Sequence, residues 1–244
     1  MESYQEDTYG DRIAGIYDEW YTKYDDAMIE TLVELAQGGR ALELGIGTGR
    51  IALPLQHKGI TVHGIDASPA MIAKLRGKPN GDRIQVTLGN FADVAVDGQY
   101  ALIYVVFNTF FSLLTQDEQV RCIGNVAKRL ELTGSFVVEA FMPDLSRFSG
   151  QQALRVVNIG ENEVRLDASQ IDPVTQQITS QHVLLTEEGI RFYPVKLRYV
   201  WPTEFDLMAR LAGLRLKYRW ENWHKSDFGS DSSKHISVYE HFQS

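Results

Sequence analysis

One cysteine in 244 residues excludes any disulfide or cysteine-ligated zinc site within the chain. Its setting, Gln119-Val120-Arg121-Cys122-Ile123, has apolar neighbours at helical spacing, so Cys122 reads as a packed thiol and not a nucleophile. Basic residues are also scarce. The 24 Lys and Arg against 32 Asp and Glu leave a net charge of −8, which argues against a phosphate-binding surface and so against a nucleic-acid partner. No apolar run approaches the length a bilayer needs, and the opening Met1-Glu2-Ser3-Tyr4-Gln5-Glu6-Asp7 is acidic and polar, unlike a secretory leader. A soluble, cytoplasmic protein without membrane contact is expected. No internal repeat is visible, and the length suits one well-filled α/β domain.

What is present concentrates between residues 40 and 50. Arg40-Ala41-Leu42-Glu43-Leu44 can form a buried strand that runs into Gly45, Gly47 and Gly49 and then into the helical pattern Ile51-Ala52-Leu53-Pro54-Leu55. Glycine tolerates positive φ and has no Cβ, so such a loop turns sharply at a strand's carboxyl end and lets a ligand approach. A dinucleotide fingerprint would need its third glycine at position 50, where Arg50 stands. The motif is E-x-G-x-G-x-G instead.

About twenty residues later, residues 60–65 read as a second buried strand ending on Asp66, followed by Ala67-Ser68-Pro69-Ala70-Met71-Ile72. An acidic residue at that strand tip can accept hydrogen bonds from both ribose hydroxyls of an adenosine lying over the first loop. Asp66 could also cap the following helix, although Ser68 before Pro69 makes the better cap.

Together, E-x-G-x-G-x-G and G-I-D-A-S-P-A-M-I resemble the first two motifs of class I S-adenosylmethionine-dependent methyltransferases. The resemblance implies S-adenosyl-L-methionine as cofactor and no metal. It places Gly45, Ile46, Gly47, Gly49, Asp66, Ala67, Met71, Asn90, Phe91 and Phe107 at the cofactor. Asn90 stands where relatives more often carry Asp, and Phe91 is suited to covering the adenine face. The Tyr9 and Tyr17 pattern resembles small-molecule methyltransferases in which N-terminal tyrosines face the methionine end and the acceptor, so both are candidate catalytic residues. The same rings could equally pack a helix onto the core.

The rest of the chain predicts an α/β, doubly wound, mostly parallel seven-stranded Rossmann-like sheet with an N-terminal helical lid and an inserted antiparallel β-meander. The expected division is 1–37 helical lid, 38–150 cofactor-binding core, 151–201 insert and 202–244 the closing helix and strands. Within it, residues 28–37 form an amphipathic helix ended by Gly38-Gly39, and residues 83–88, 100–106 and 135–141 form the third, central fourth and fifth strands. Five β-α steps in succession favour a parallel sheet. Between residues 154 and 199 the period becomes two, broken at 160–162, 172–173 and 187–189, which predicts four antiparallel strands. That insert either roofs the acceptor pocket or forms a homo-oligomer interface. Residues 202–213 return to a helix, with Thr203 as its cap.

Phe107-Asn108-Thr109-Phe110 lacks the prolines of the D/N-P-P-Y/F motif found in enzymes that methylate bases or glutamine, which disfavours a macromolecular acceptor. The chain is most similar to N-methyltransferases of antibiotic biosynthesis that act on amino sugars or lincosamide intermediates, implying a small-molecule amine as partner. None of the six histidines falls in a motif, but His182 in the meander and His224 in the last loop remain pocket candidates. The alternatives are a small-molecule O-methyltransferase and a non-catalytic S-adenosylmethionine-binding protein.

Overall fold

The computed structural model of the chain describes residues 4–242. It opens on three helices, α1 (Thr8–Ile13), α2 (Tyr17–Trp20) and α3 (Asp26–Ala36). Asp25 caps α3 by accepting from the Ala27 N–H, and the helix stops where Gln37 turns left-handed ahead of Gly38. Its buried stripe of Met28, Ile29, Leu32, Leu35 and Ala36 joins the core beside Leu102, Tyr104 and Val137. The cover over the site is therefore shorter than the 1–37 span expected, because α3 commits its apolar face to the sheet.

Next come β1 (Ala41–Leu44), α4 (Ala52–His57), β2 (Val62–Asp66), α5 (Pro69–Arg76), β3 (Gln85–Leu88), β4 (Tyr100–Val105), α6 (Gln116–Arg129) and β5 (Leu130–Phe141). The β1 residues are all buried without alternation, as in a strand covered on both faces. The third β-α step is missing: residues 89–99 between β3 and β4 contain no helix. They fill the core directly with Phe91, Ala92, Val94 and Val96, so a further helix is not needed to cover the sheet there. A capping box between Thr115 and Glu118 starts α6, and β5 begins at its last turn, five residues earlier than the expected residue 135.

After β5 the chain forms β6 (Gln152–Ile159), β7 (Glu163–Asp172), β8 (Gln177–Thr186) and β9 (Gly189–Arg198), then α7 (Pro202–Leu211), β10 (Leu214–Trp220) and β11 (Lys234–His241). Trp201, not Thr203, occupies the N-cap of α7 and makes no side-chain cap; Pro202 supplies the preset φ of the first helical position.

Two sheets result. The larger runs β10-β11-β5-β4-β1-β2-β3, parallel from β5 to β3, with β11 antiparallel to β5 and β10 antiparallel to β11. Chain order departs from β1 towards β3 on one side and from β4 towards β5 on the other, so the carboxyl ends of β1 and β4 flank a switch point, where such sheets bind ligands. The smaller sheet is the meander β6-β7-β8-β9. Ile171, Ile178, Tyr199 and Val200 join it to the main core, and buried Gln119 of α6 donates to the Arg198 carbonyl at 3.0 Å.

Candidate active site

Gly45, Gly47 and Gly49 all adopt left-handed backbone (φ +74°, +54° and +74°), but for different reasons. A Cβ on Gly45 would stand 2.4 Å from Thr109 Cγ2, and one on Gly49 2.4 Å from Leu75 Cδ1; one on Gly47 would meet nothing within 4 Å. Gly45 and Gly49 thus permit close packing, whereas Gly47 leaves an open face in the wall of a cavity.

At the tip of β2, Asp66 accepts from the Gly47 N–H through Oδ2 (2.7 Å) and from the Ser68 N–H through Oδ1 (2.9 Å). Burial raises its carboxyl above the ordinary value, against those two donors. Ser68 caps α5 by accepting from the Met71 N–H at 3.1 Å, and its hydroxyl donates to Asp11 at 2.5 Å, fastening α1 to the floor of the site. Below the loop, Glu43 is buried and accepts from the Tyr104 hydroxyl at 2.9 Å. Burial pushes its carboxyl up to about 8, opposed by Tyr104 and by the charge of Arg50.

The wall beyond β4 is strained. Phe107 and Asn108 take consecutive positive φ values of +55° and +66°, a conformation costing a non-glycine residue about 1–3 kcal/mol. Glu139 of β5 holds it in place: its carboxylate accepts from the Phe107 N–H at 3.1 Å and its carbonyl from the Asn108 N–H at 3.2 Å. Trp223 and Lys234 donate to the other carboxylate oxygen at 3.2 and 3.0 Å. The guanidinium of Arg50 lies 3.5 Å from the Phe107 ring centroid and donates to the Lys23 carbonyl, yet its Nε is buried without a partner. Asn90 accepts from the Ala92 N–H (2.8 Å) and donates to Glu6 (2.6 Å), so the amide expected to serve adenine is engaged with the protein at both ends.

The meander forms the opposite wall. Arg155, Asp167, His182 and Tyr193 are cross-strand partners on β6 to β9, and Ser169, Ser180 and Val195 form the next row on the same face. His182 Nδ1 lies 3.5 Å from Asp167 Oδ1, Arg155 Nη2 lies 3.7 Å from Oδ2, and Ser169 donates to Oδ1 at 3.2 Å. Burial works to raise the Asp167 carboxyl, but His182, Ser169 and Arg155 together hold it below its ordinary value. The insert therefore roofs a pocket, one of the two roles its sequence allowed.

Tyr9 and Tyr17 close the space between floor and roof. Burial drives the Tyr9 phenol well above its ordinary value, helped by Tyr21 and Tyr17; burial also raises Tyr17, against the charge of Arg50. The Tyr9 and His182 rings meet edge-on at 6.5 Å. The cavity, about 1040 Å³, runs without a break from Gly47 and Asp66 to Asp167 and His182.

Of the twelve expected site residues, Tyr9, Tyr17, Gly45, Gly47, Asp66, Ala67, Met71, Asn90, Phe91 and Phe107 line this cavity. Ile46 and Gly49 do not line it. Ile46 is buried against Gly64, and Gly49 packs on Leu75, so both serve the scaffold. His224 is exposed, 3.3 Å from Asp25 and outside the cavity. Phe110 and Phe111 are core residues packed on Phe205 and Phe141. Cys122 is buried, and burial pushes its thiol up. The sequence reading missed Arg50, Asp167 and Glu139. Arg50 could have been found as the polar residue directly after the glycine loop, whereas Asp167 and Glu139 sit in alternating strands with nothing local to single them out.

Comparison with known proteins agrees with this architecture. The methyltransferase domain family matches residues 41–134. The CcbJ methyltransferase from Streptomyces caelestis superposes with a TM-score of 0.92 at 38% identity, over 98% of this chain and 100% of that one. The cypemycin N-terminal methyltransferase of a Streptomyces species is 26% identical over 182 residues, 73% of this chain and 74% of the relative. CalS10 from Micromonospora echinaspora, an amino pentose methyltransferase solved with S-adenosylmethionine bound, shares the fold at a TM-score of 0.68 and 18% identity, covering 98% of both chains.

Proposed function

The chain belongs to the S-adenosylmethionine-dependent methyltransferases, and from that premise we propose that it methylates an amine nitrogen of a small molecule, an antibiotic-pathway intermediate of the amino-sugar or lincosamide type. The observation that carries this reading is the unbroken cavity, which joins a nucleotide-type floor to a polar roof and is large enough for two ligands side by side. The name of the cypemycin relative, an N-terminal methyltransferase, supports nitrogen as the acceptor.

The floor suits the cofactor. Gly47 leaves room for backbone contact, Asp66 retains lone pairs beyond the two it spends on N–H groups, and the partnerless Nε–H of Arg50 is a donor suited to an anionic ligand. When bound, S-adenosylmethionine supplies an electrophilic methyl group on a sulfonium. In this reading Asp66 takes the ribose hydroxyls, and Ala67, Met71, Asn90 and Phe91 flank the adenine. Gly45, Gly47, Arg50 and Phe107 border the methionine end, while Ile46 and Gly49 act through packing. The remaining task is alignment of a nitrogen lone pair with the S–CH3 axis in a closed site. Tyr9 and Tyr17 position the amine for that displacement.

The deciding assay offers S-adenosylmethionine with matched amine and hydroxyl probes and locates the added methyl by mass spectrometry. N-methylated product is expected. Methylation of hydroxyls alone would make the chain an O-methyltransferase, and tight cofactor binding with no product from any probe would make it a binding protein. Tyr9→Phe should lower kcat/KM about tenfold, the cost of one positioning hydrogen bond, at nearly unchanged stability.

The outer face of the meander supports self-association. Leu154, Val156, Ile159, Ile190 and Phe192 are exposed there, an apolar surface larger than scattered single residues. Light scattering should find an oligomer that Phe192→Lys disperses.

A further inference from the structure

We propose that His182 is the catalytic proton acceptor for the amine, with Asp167 as the positioning residue that fixes its tautomer. This deepens the N-methylation reading and rests on it. An aliphatic amine is an ammonium ion near neutral pH, and its lone pair is unusable until a proton leaves. A group in the cavity can take that proton.

Most cavity groups are already committed. Asp66 holds the loop amides, Glu6 accepts from Asn90, Glu118 closes the capping box of α6, and Asp144 accepts from Ser146. The Tyr9 and Tyr17 phenols are held neutral by burial, so they orient an amine better than they discharge it. His182 is different. Its Nδ1 faces Asp167 at 3.5 Å, while no protein group among the described residues bonds its Nε2. Asp167 is in turn fixed by Ser169, which shares a 2.8 Å hydrogen bond with Ser180, and by Arg155.

A carboxylate at Nδ1 keeps the proton there and leaves the Nε2 lone pair free, the arrangement a general base requires. The charged or titratable groups facing the imidazole are Asp167 from β7 with Arg155 of β6 behind it, Tyr193 on β9 and Tyr9 from α1. The ammonium N–H bond breaks, its electrons stay on nitrogen, and the proton forms a bond with Nε2, giving an imidazolium paired with the Asp167 carboxylate. The freed lone pair then forms the N–CH3 bond as the S–CH3 bond breaks and its electrons return to sulfur.

The test has two arms. The first compares His182→Gln with wild type on two benzylic amines of equal size, one made weakly basic by a trifluoromethyl group beside nitrogen. Loss of kcat on the basic amine by about a hundredfold near neutral pH, regained as pH rises and the free base forms, with little change on the weakly basic amine, is the expected result. KM should move less than kcat. Equal losses on both amines, or an unchanged pH profile, would overturn the proposal. The second arm needs no acceptor: ring 15N shifts of His182 should report the Nδ1–H tautomer in wild type loaded with S-adenosylhomocysteine and its loss in Asp167→Ala. An Nε2–H tautomer in wild type overturns the proposal outright. A wild type that methylates only hydroxyls overturns the N-methylation reading, a result distinct from either failure above.

Discussion

In the proposed reading Asp66 is both scaffold and ligand group. Its two oxygens already hold Gly47 and Ser68, so truncation would loosen the loop as well as remove an acceptor. Asp66→Asn is the cleaner probe, since an amide keeps one acceptor oxygen and nearly the same volume. Calorimetry should show S-adenosylhomocysteine binding weakened by about 1–3 kcal/mol, the worth of a hydrogen bond to a charged group, with thermal stability changed less. Unchanged affinity would confine Asp66 to the turn. The place of Asp66 at the cavity was legible because it stands at a strand tip a fixed distance from the glycine loop. The strain at Phe107 and its restraint by Glu139 were not, because positive φ on an aromatic residue is imposed by tertiary hydrogen bonds and leaves no local mark.

At the scale of elements, the loop after β1 separates two uses of glycine that look identical in the motif. Gly47→Ala and Gly49→Ala each carry the cost of a Cβ at positive φ, about 1–2 kcal/mol. Only Gly49→Ala adds a clash, with Leu75 of α5. Thermal denaturation should therefore find Gly49→Ala the less stable, and titration with S-adenosylhomocysteine should find Gly47→Ala the weaker binder. The reverse order would reassign both residues. The meander was legible to within three residues because its turns are chemically marked, at Gly160-Glu161-Asn162, Asp172-Pro173 and Glu187-Glu188-Gly189. The missing helix between β3 and β4 was not, since Phe91, Ala92, Val94 and Val96 carry enough apolar surface to suggest an element while burying it from irregular backbone.

For the whole molecule, two buried groups tilt stability with pH in opposite directions. Glu43, raised from 4.5 to about 8, is protonated in the fold and ionised in the unfolded chain across that interval, so its contribution falls by about 1.4 kcal/mol per pH unit as pH rises through it. Burial lowers His235 from 6.5 to about 4; between those values only the unfolded chain binds the proton, and stability falls as pH drops. Denaturant unfolding of Glu43→Gln should thus lose a declining slope between about pH 4.5 and 8, and His235→Asn a rising slope between about pH 4 and 6.5. Slopes identical to wild type would mean that these groups titrate alike in the folded and unfolded states.

The division into two sheets also bears on ancestry. In the proposed reading donor-side residues belong to loops of the parallel sheet, whereas Asp167, Ser169, Ser180, His182 and Val195 come from alternate positions of a meander that enters after β5 and leaves before α7. Because neighbours in a strand face opposite ways, Ser169, Ser180 and Val195 can drift while the outward residues, the proposed His182–Asp167 pair and the donor loops stay constant. Descendants of such a protein can change the compound they modify by rewriting one wall of the chamber, with the machinery for the methyl donor inherited intact.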